Sequence, residues 1–60
     1  MTFIKTEDNY ITFDGKYVIV NFDGWYVYKR VGDRVLRFQK SFTTLQAAKD
    51  YTLNLYNKEG

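Results

Sequence analysis

Cysteine, histidine and proline are all missing from this 60-residue sequence. Without cysteine there is no disulfide framework, and without cysteine or histidine there is no thiolate or imidazole metal site. A chain this short buries only about 60% of its unfolded surface, so its stability depends on a dense core. Aromatic residues make up 20% of the chain and supply that core. The lack of proline is typical of a chain that lies mostly in regular structure.

The residue supply also argues against an enzyme. No histidine or cysteine can act as general base or nucleophile, and Ser41 is the only serine. The carboxylates of Asp14, Asp23 and Asp33 stand in turn signals, where aspartate is favoured for local reasons. No glycine-rich loop precedes the helical stretch, so no phosphate cradle is expected. We therefore expect no catalytic residue, no cofactor, no metal ion and no small-molecule substrate.

Long apolar runs and a strong charge bias are absent as well. No run approaches the roughly 18 residues of a membrane span, and the first residues do not form a signal-peptide pattern. We expect no membrane partner and a cytoplasmic location, which for a phage protein is the host cytoplasm. The net charge is only +2, but residues 29–40 hold five basic residues against Asp33 alone. Positive charge is thus concentrated in the second half of the predicted sheet.

Three turn signals recur at a spacing of nine residues: Asp14-Gly15, Asp23-Gly24 and Gly32-Asp33. Asp-Gly between β-branched and aromatic runs favours a two-residue hairpin turn. We predict a single α+β domain over residues 1–60, a four-stranded antiparallel β-meander with one C-terminal helix packed on one face. The strands are predicted at 9–13, 16–22, 25–31 and 34–40 and the helix at 44–56. Residues 1–8 either form a further short strand or fray.

The hydrophobic period changes after Ser41, where Thr43 or Thr44 is a plausible N-cap. A helical stripe follows at 3.6-residue spacing, formed by Leu45, Ala48, Thr52, Leu55 and Tyr56, with Tyr51 at its edge. The polar set is expected outside the stripe: Gln46, Lys49, Asp50 and Asn54.

Two-residue turns would place Phe22 opposite Trp25, Ile11 opposite Val18, and Lys29 opposite Leu36. Because side chains alternate along a strand, this register predicts the composition of both faces. The face under the helix would hold Ile11, Phe13, Val18, Val20, Phe22, Trp25, Val27, Val31, Leu36 and Phe38. The open face would hold Tyr10, Thr12, Tyr17, Ile19, Asn21, Tyr26, Tyr28, Arg30, Val35, Arg37 and Gln39.

The predicted open face is rich in tyrosine and carries arginine, with expected cross-strand pairs Tyr17–Arg30, Tyr28–Arg37 and Tyr26–Gln39. Tyrosine and arginine are enriched at interface hot spots, and they also stack on bases and neutralise phosphates. Tyrosine is equally a good strand former with no binding role. We predict a binding site formed by Tyr17, Tyr26, Tyr28, Arg30, Arg34, Arg37, Gln39 and Lys40. Its partner is either a nucleic acid, another protein or a second copy of the chain.

Three motifs in residues 24–57 occur in sequence: Trp25-Tyr-Val-Tyr-Lys-Arg30, Gly32-Asp-Arg34, and Ser41-Phe-Thr-Thr-Leu-Gln-Ala-Ala-Lys-Asp-Tyr51. This half resembles the AP2-type DNA-binding domain, whose relatives occur in phage integrases and homing endonucleases. The resemblance implies a sheet that enters the major groove. It also implies that Arg30, Arg34 and Arg37 contact DNA, with Lys29 or Lys40 on phosphates. The competing hypothesis is a phage-type accessory or inhibitor protein, or a homodimer, that uses the same face.

Overall fold

A computed structural model describes residues 3–12 and 14–59, without the side chain of Glu59. Within these residues the chain forms one antiparallel sheet of five strands in sequence order, followed by one helix. The elements are β1 (Phe3–Thr6), β2 (Asn9–Thr12), β3 (Tyr17–Asn21), β4 (Trp25–Arg30), β5 (Leu36–Phe42) and α1 (Leu45–Glu59). The predicted α+β class, the meander order and the C-terminal helix are confirmed.

The predicted count of four strands is wrong, because residues 3–6 form a further strand. Ile4 pairs with Ile11, and Thr6 pairs with Asn9 across a tight turn. Glu7 in this turn takes a positive φ of 49°, in the left-handed region. Phe3 then packs against the hydrophobic core. The apolar Phe3-Ile4 pair therefore does serve as a first strand.

The hairpin between β3 and β4 lies at Asp23-Gly24, as predicted, but its loop has three residues instead of two. Asn21 pairs with Trp25, and Phe22 N–H donates to Gly24 C=O at 3.0 Å. Asp23 and Gly24 both have positive φ, 52° and 133°. The predicted pairing of Phe22 with Trp25 is wrong. One extra loop residue rotates every β3 side chain to the opposite face relative to β4.

The connection from β4 to β5 is also longer than predicted. Val31 N–H donates to Val35 C=O at 2.9 Å, and Arg30 pairs with Leu36. Tyr28 pairs with Phe38, but Val27 pairs with Lys40, so Gln39 is the additional residue of a β-bulge. The observed partners are Tyr17–Lys29, Tyr28–Phe38 and Tyr26–Ser41, which corrects all three predicted tyrosine pairs. Ile11 does pair with Val18, as predicted from Asp14-Gly15.

Helix α1 begins as the sequence indicates. Thr44 is its N-cap, since Ala47 N–H donates to the Thr44 hydroxyl at 3.2 Å. Its apolar stripe is confirmed: Ala48 and Thr52 are buried, and the other stripe residues are half-buried. Lys49, which we expected outside the stripe, is instead half-buried with its ammonium 4.9 Å from the Tyr10 ring centroid. Within residues 3–12 and 14–59, no helix combines the length and hydropathy needed to cross a membrane.

The core lies between α1 and the sheet. Its fully buried centre is Ile19, Val27 and Ala48. Half-buried side chains surround this centre: Phe3, Tyr10, Trp25, Phe42, Leu45 and Tyr51. The prediction that Trp25 belongs to the core is therefore confirmed, because its ring packs beside Tyr10 at 6.1 Å on the helix side.

Candidate interface on the open face of the sheet

The sheet face away from α1 is called the open face below. Thr12, Ile19 and Val27 are buried under α1, so the residues that alternate with them point the other way. By this alternation and the strand register, the open face holds Ile4, Thr6, Asn9, Ile11, Val18, Val20, Tyr26, Tyr28, Arg30, Leu36, Phe38 and Ser41. Most of these side chains are apolar or aromatic.

A continuous row of such side chains crosses all five strands of the described sheet. Each member is the direct cross-strand partner of the next, in the order Ile4, Ile11, Val18, Tyr28 and Phe38. Four strand spacings of about 4.8 Å make this row roughly 19 Å long. It is an uninterrupted apolar stripe on the surface that the helix leaves uncovered.

Aromatic side chains gather at the β5 end of the row. The Phe38 ring lies 5.7 Å from Tyr28 in an edge-to-face arrangement and 6.3 Å from Tyr26. Phe38 is nevertheless 53% exposed, and Leu36 on the same strand is 43% exposed. Large apolar side chains that are exposed together, and not singly, mark interaction surfaces. This corner has the composition of an anchor site.

The structure brings together only part of the predicted binding set. Tyr26, Tyr28 and Arg30 lie on the open face, as predicted. Tyr17, however, is 1% exposed and packs edge-to-face on Tyr56 of α1 at 5.0 Å, so its predicted exposure is wrong. Tyr10, Thr12 and Ile19 are likewise on the helix side. The physical reason is the three-residue loop, which turns β2 and β3 over relative to β4.

The other predicted binding residues are dispersed. Arg34 lies in the exposed connection 31–35, and Gln39 is the bulge residue, with its amide donating to Arg37 C=O at 3.2 Å. Arg37 pairs with Lys29 on the helix side of the sheet. Lys40 is also on that side, with its ammonium 5.6 Å from the Phe42 ring centroid. The longer β4–β5 connection therefore moves Arg37 from the predicted open face to the helix side, where Lys40 also lies.

Several residues that we predicted in the core are on the surface instead. Ile11, Val18, Val20, Leu36 and Phe38 lie on the open face. Phe22 and Val31 are exposed in connections, with Phe22 at 75% exposure. The predicted inward position of Phe13 lies outside the described residues. Sequence reasoning missed this surface because both faces of β3, Tyr17/Ile19 and Val18/Val20, are apolar and carry no signal to tell them apart.

A polar cluster fastens the far end of α1 to the sheet. The Tyr56 hydroxyl donates to the Asp14 carboxylate and lies 3.1 Å from the Thr12 hydroxyl. The Thr12 hydroxyl also accepts a hydrogen bond from Tyr17 N–H at 3.1 Å. The hydrogen bond from Tyr56, with smaller contributions from Lys16 and Thr12, lowers the pKa of Asp14 below its ordinary value. The cluster thus joins α1 to the β2–β3 hairpin by hydrogen bonds.

The site offers no metal chemistry in the part of the chain that is described, where no three carboxylate, histidine or cysteine groups converge. Compared with protein-family models, curated proteins and solved structures, the chain matches none. The function must therefore be argued from the open face itself.

Proposed function

We propose that this protein is a small non-enzymatic binding module that docks another protein on its open face. The observation that supports this proposal most is the apolar row from Ile4 to Phe38, which crosses the whole sheet on the side that α1 does not cover. A domain this short has little apolar surface to spare for solvent. A partner protein would bury the row without any rearrangement of the sheet.

The composition of the face supports a protein partner in particular. Interface hot spots are enriched in tyrosine, arginine and other large anchors that sit at the centre of an apolar patch. Here the exposed Phe38 ring stands between Tyr26 and Tyr28, with Arg30 beside them on the same face. Two rings already hold Phe38 in place, so ordering it upon binding costs little entropy. Phe38 is the proposed anchor and Arg30 a charged rim.

A nucleic acid is the second candidate, because the same aromatic corner could stack on bases. Tyr26, Tyr28 and Phe38 with Arg30 have the composition of a stacking platform for a single strand. The AP2 resemblance implies binding to duplex DNA instead. A phosphate backbone needs several cations along its path. Since Arg37 and Lys40 lie on the helix side, we rank this candidate below a protein partner.

The proposal can be tested by affinity capture from the cells that express the protein, with three immobilised forms. The first is the wild type, the second is Phe38→Ser, and the third is Phe22→Ser, which makes the same change at an exposed loop position. We expect a protein retained by the wild type and by Phe22→Ser, with a loss of about tenfold or more for Phe38→Ser. A sedimentation experiment on the same forms tests whether that partner is a second copy.

A salt titration separates the two candidates. Duplex DNA and a single-stranded oligonucleotide are titrated against the wild type at low and moderate salt. Binding to phosphates must weaken steeply as salt rises, whereas apolar docking must not. Capture that is equal for all three forms would overturn the open-face proposal. Steeply salt-dependent binding of an oligonucleotide, without any retained protein, would replace the protein partner by nucleic acid.

A further inference from the structure

A second surface is formed by the outer edge of β5. This strand is the last in the sheet and, at seven residues, the longest of the described strands. One side of it pairs with β4, and no described strand pairs with the other side. Its residues from Leu36 to Phe38 are all exposed. The bulge at Gln39 interrupts this edge, and its regular part, from Leu36 to Phe38, is a template for a further strand.

The backbone at this edge has spare hydrogen-bonding groups. Val31 N–H donates to Val35 C=O, so Val35 directs its polar groups toward β4. By alternation Arg37 does the same, and Leu36 and Phe38 direct their N–H and C=O groups outward. Two outward positions spaced two residues apart are the groups that an added strand uses in β-augmentation.

The side chains beside these groups have an alternating character. Leu36 and Phe38 are apolar and lie on the open face, whereas Arg37 lies on the helix side, directly opposite Lys29. A carboxylate placed next to Arg37 would form a charge-assisted hydrogen bond with its guanidinium group. A strand that pairs with this edge would therefore be complementary to it if it carried apolar residues on the open face and carboxylates on the helix side.

We propose that the β5 edge takes an extended peptide segment of alternating apolar and acidic residues as a sixth strand. Its apolar side chains would extend the open face beside Leu36 and Phe38. Its carboxylates would lie beside Arg37 on the helix side. This site shares Leu36 and Phe38 with the open face, but its charge preference comes from Arg37 on the helix side, so Arg37→Glu tests it separately from Phe38→Ser.

A second copy of the chain fits the edge less well. An antiparallel pairing of β5 with β5 puts both helix sides on the same side of one continuous sheet. The Arg37 side chain of each copy would then add to the charge of the other, and like charges across strands repel. Charge complementarity therefore favours an acidic partner strand over self-pairing.

The experiment uses a short synthetic peptide of alternating Glu and Val, blocked at both ends, and the full chain labelled for amide NMR. Two control peptides have the same Glu and Val content in two blocks, or Lys in place of Glu. We expect the alternating acidic peptide to shift the Leu36 and Phe38 amides and to slow their hydrogen exchange about tenfold or more. Neither control should do so.

Charge reversal gives the decisive comparison. Arg37→Glu should weaken the binding of the Glu–Val peptide about tenfold or more, and it should allow the Lys–Val peptide to bind. Lys58→Glu changes the net charge equally but lies in the last turn of α1, and it should change neither. Equal weakening by both variants would reduce the effect to general electrostatics and overturn the proposal. No binding of any peptide would overturn it too, whereas the capture results on the open face would stand.

Discussion

The two faces of this sheet are built from similar residues but have different surroundings. The covered face contributes Tyr10, Tyr17, Ile19, Trp25 and Val27, and the open face contributes Ile11, Val18, Val20, Tyr28 and Phe38. Both sets are apolar and aromatic. One 15-residue helix can cover only one of them. Hydrophobicity alone therefore does not determine which face of this small sheet is the core.

The faces differ more clearly in their polar groups. On the covered side the buried Thr52 hydroxyl donates to Ala48 C=O at 2.9 Å, so this polar group is satisfied. Two lysines lie at the margins of this side. The Lys49 ammonium lies over the Tyr10 ring, and the Lys40 ammonium lies over the Phe42 ring. Among the described strand residues, Arg30 is the one charged residue that the register places on the open face. The covered side is completed within the chain, and the open side is left exposed, which is the basis of the proposed docking surface.

The sharpest test of this difference replaces isoleucine by alanine on each face. Ile19 is 0% exposed under α1, and Ile4 is 44% exposed on the open face. Ile19→Ala should cost about 3 kcal/mol of unfolding free energy through lost burial and a cavity, and Ile4→Ala less than about 1 kcal/mol. Urea unfolding followed by Trp25 fluorescence measures both. Equal losses would contradict the assignment of the faces.

The β3–β4 loop decides the register, and Gly24→Ala tests it. At φ 133° an L-residue is strained, and a Cβ here would stand 3.4 Å from Phe42 C=O. We expect a loss of about 2 kcal/mol in unfolding free energy. Gly15→Ala is the control, since its φ of 77° is less unusual and the space around it is open; it should cost about 1 kcal/mol. A larger loss at Gly15 would argue against the three-residue loop.

The polar cluster that joins Tyr56 of α1 to Asp14 predicts that the free energy of unfolding depends on pH. Because the folded-state pKa of Asp14 is lowered, chiefly by Tyr56, its contribution to stability is fully present above the unfolded value of about 4. It is lost as the pH falls through the lower folded pKa. Tyr56→Phe should reduce stability at neutral pH by about 1 kcal/mol and flatten this acid-induced loss.

Tyr28→Phe also removes a tyrosine hydroxyl, but from the open face. It is the control for the dependence of stability on pH in Tyr56→Phe. Urea midpoints measured from neutral to acidic pH should coincide for Tyr28→Phe and the wild type. If Tyr56→Phe kept the full acid-induced loss, the Tyr56 hydroxyl would not be the main cause of the lowered pKa of Asp14.

The smallest stability effect is expected at the proposed anchor. Phe38→Ser removes a ring that is mostly in solvent, so it should change the unfolding free energy by less than about 1 kcal/mol. Thermal unfolding by circular dichroism measures this change, with Phe22→Ser beside it. A loss as large as that of Ile19→Ala would make Phe38 a core residue and remove it from the interface. A small loss combined with lost binding separates the role of the open face from that of the covered face.

The residues of the candidate site that lie on strand β4 are the ones whose face was predicted correctly from the sequence. Tyr26, Tyr28 and Arg30 alternate with Trp25 and Val27, and the inward position of Trp25 was enough to point them outward. Arg37 and Phe38 were assigned to the wrong faces because the connection from β4 to β5 is longer than the predicted two-residue turn and pairs Arg30 with Leu36. The bulge at Gln39 then changes the alternation between Phe38 and Lys40.

Local patterns in the sequence by themselves determined where the chain turns and where the helix begins. Asp23-Gly24 marks a hairpin because glycine tolerates positive φ, and Thr44 caps α1 because its hydroxyl accepts a free N–H. Only the tertiary structure decided which side of each strand faces the helix. A strand that is apolar on both sides has no preference of its own. The lengths of the β3–β4 and β4–β5 connections and one bulge therefore determine which face is buried.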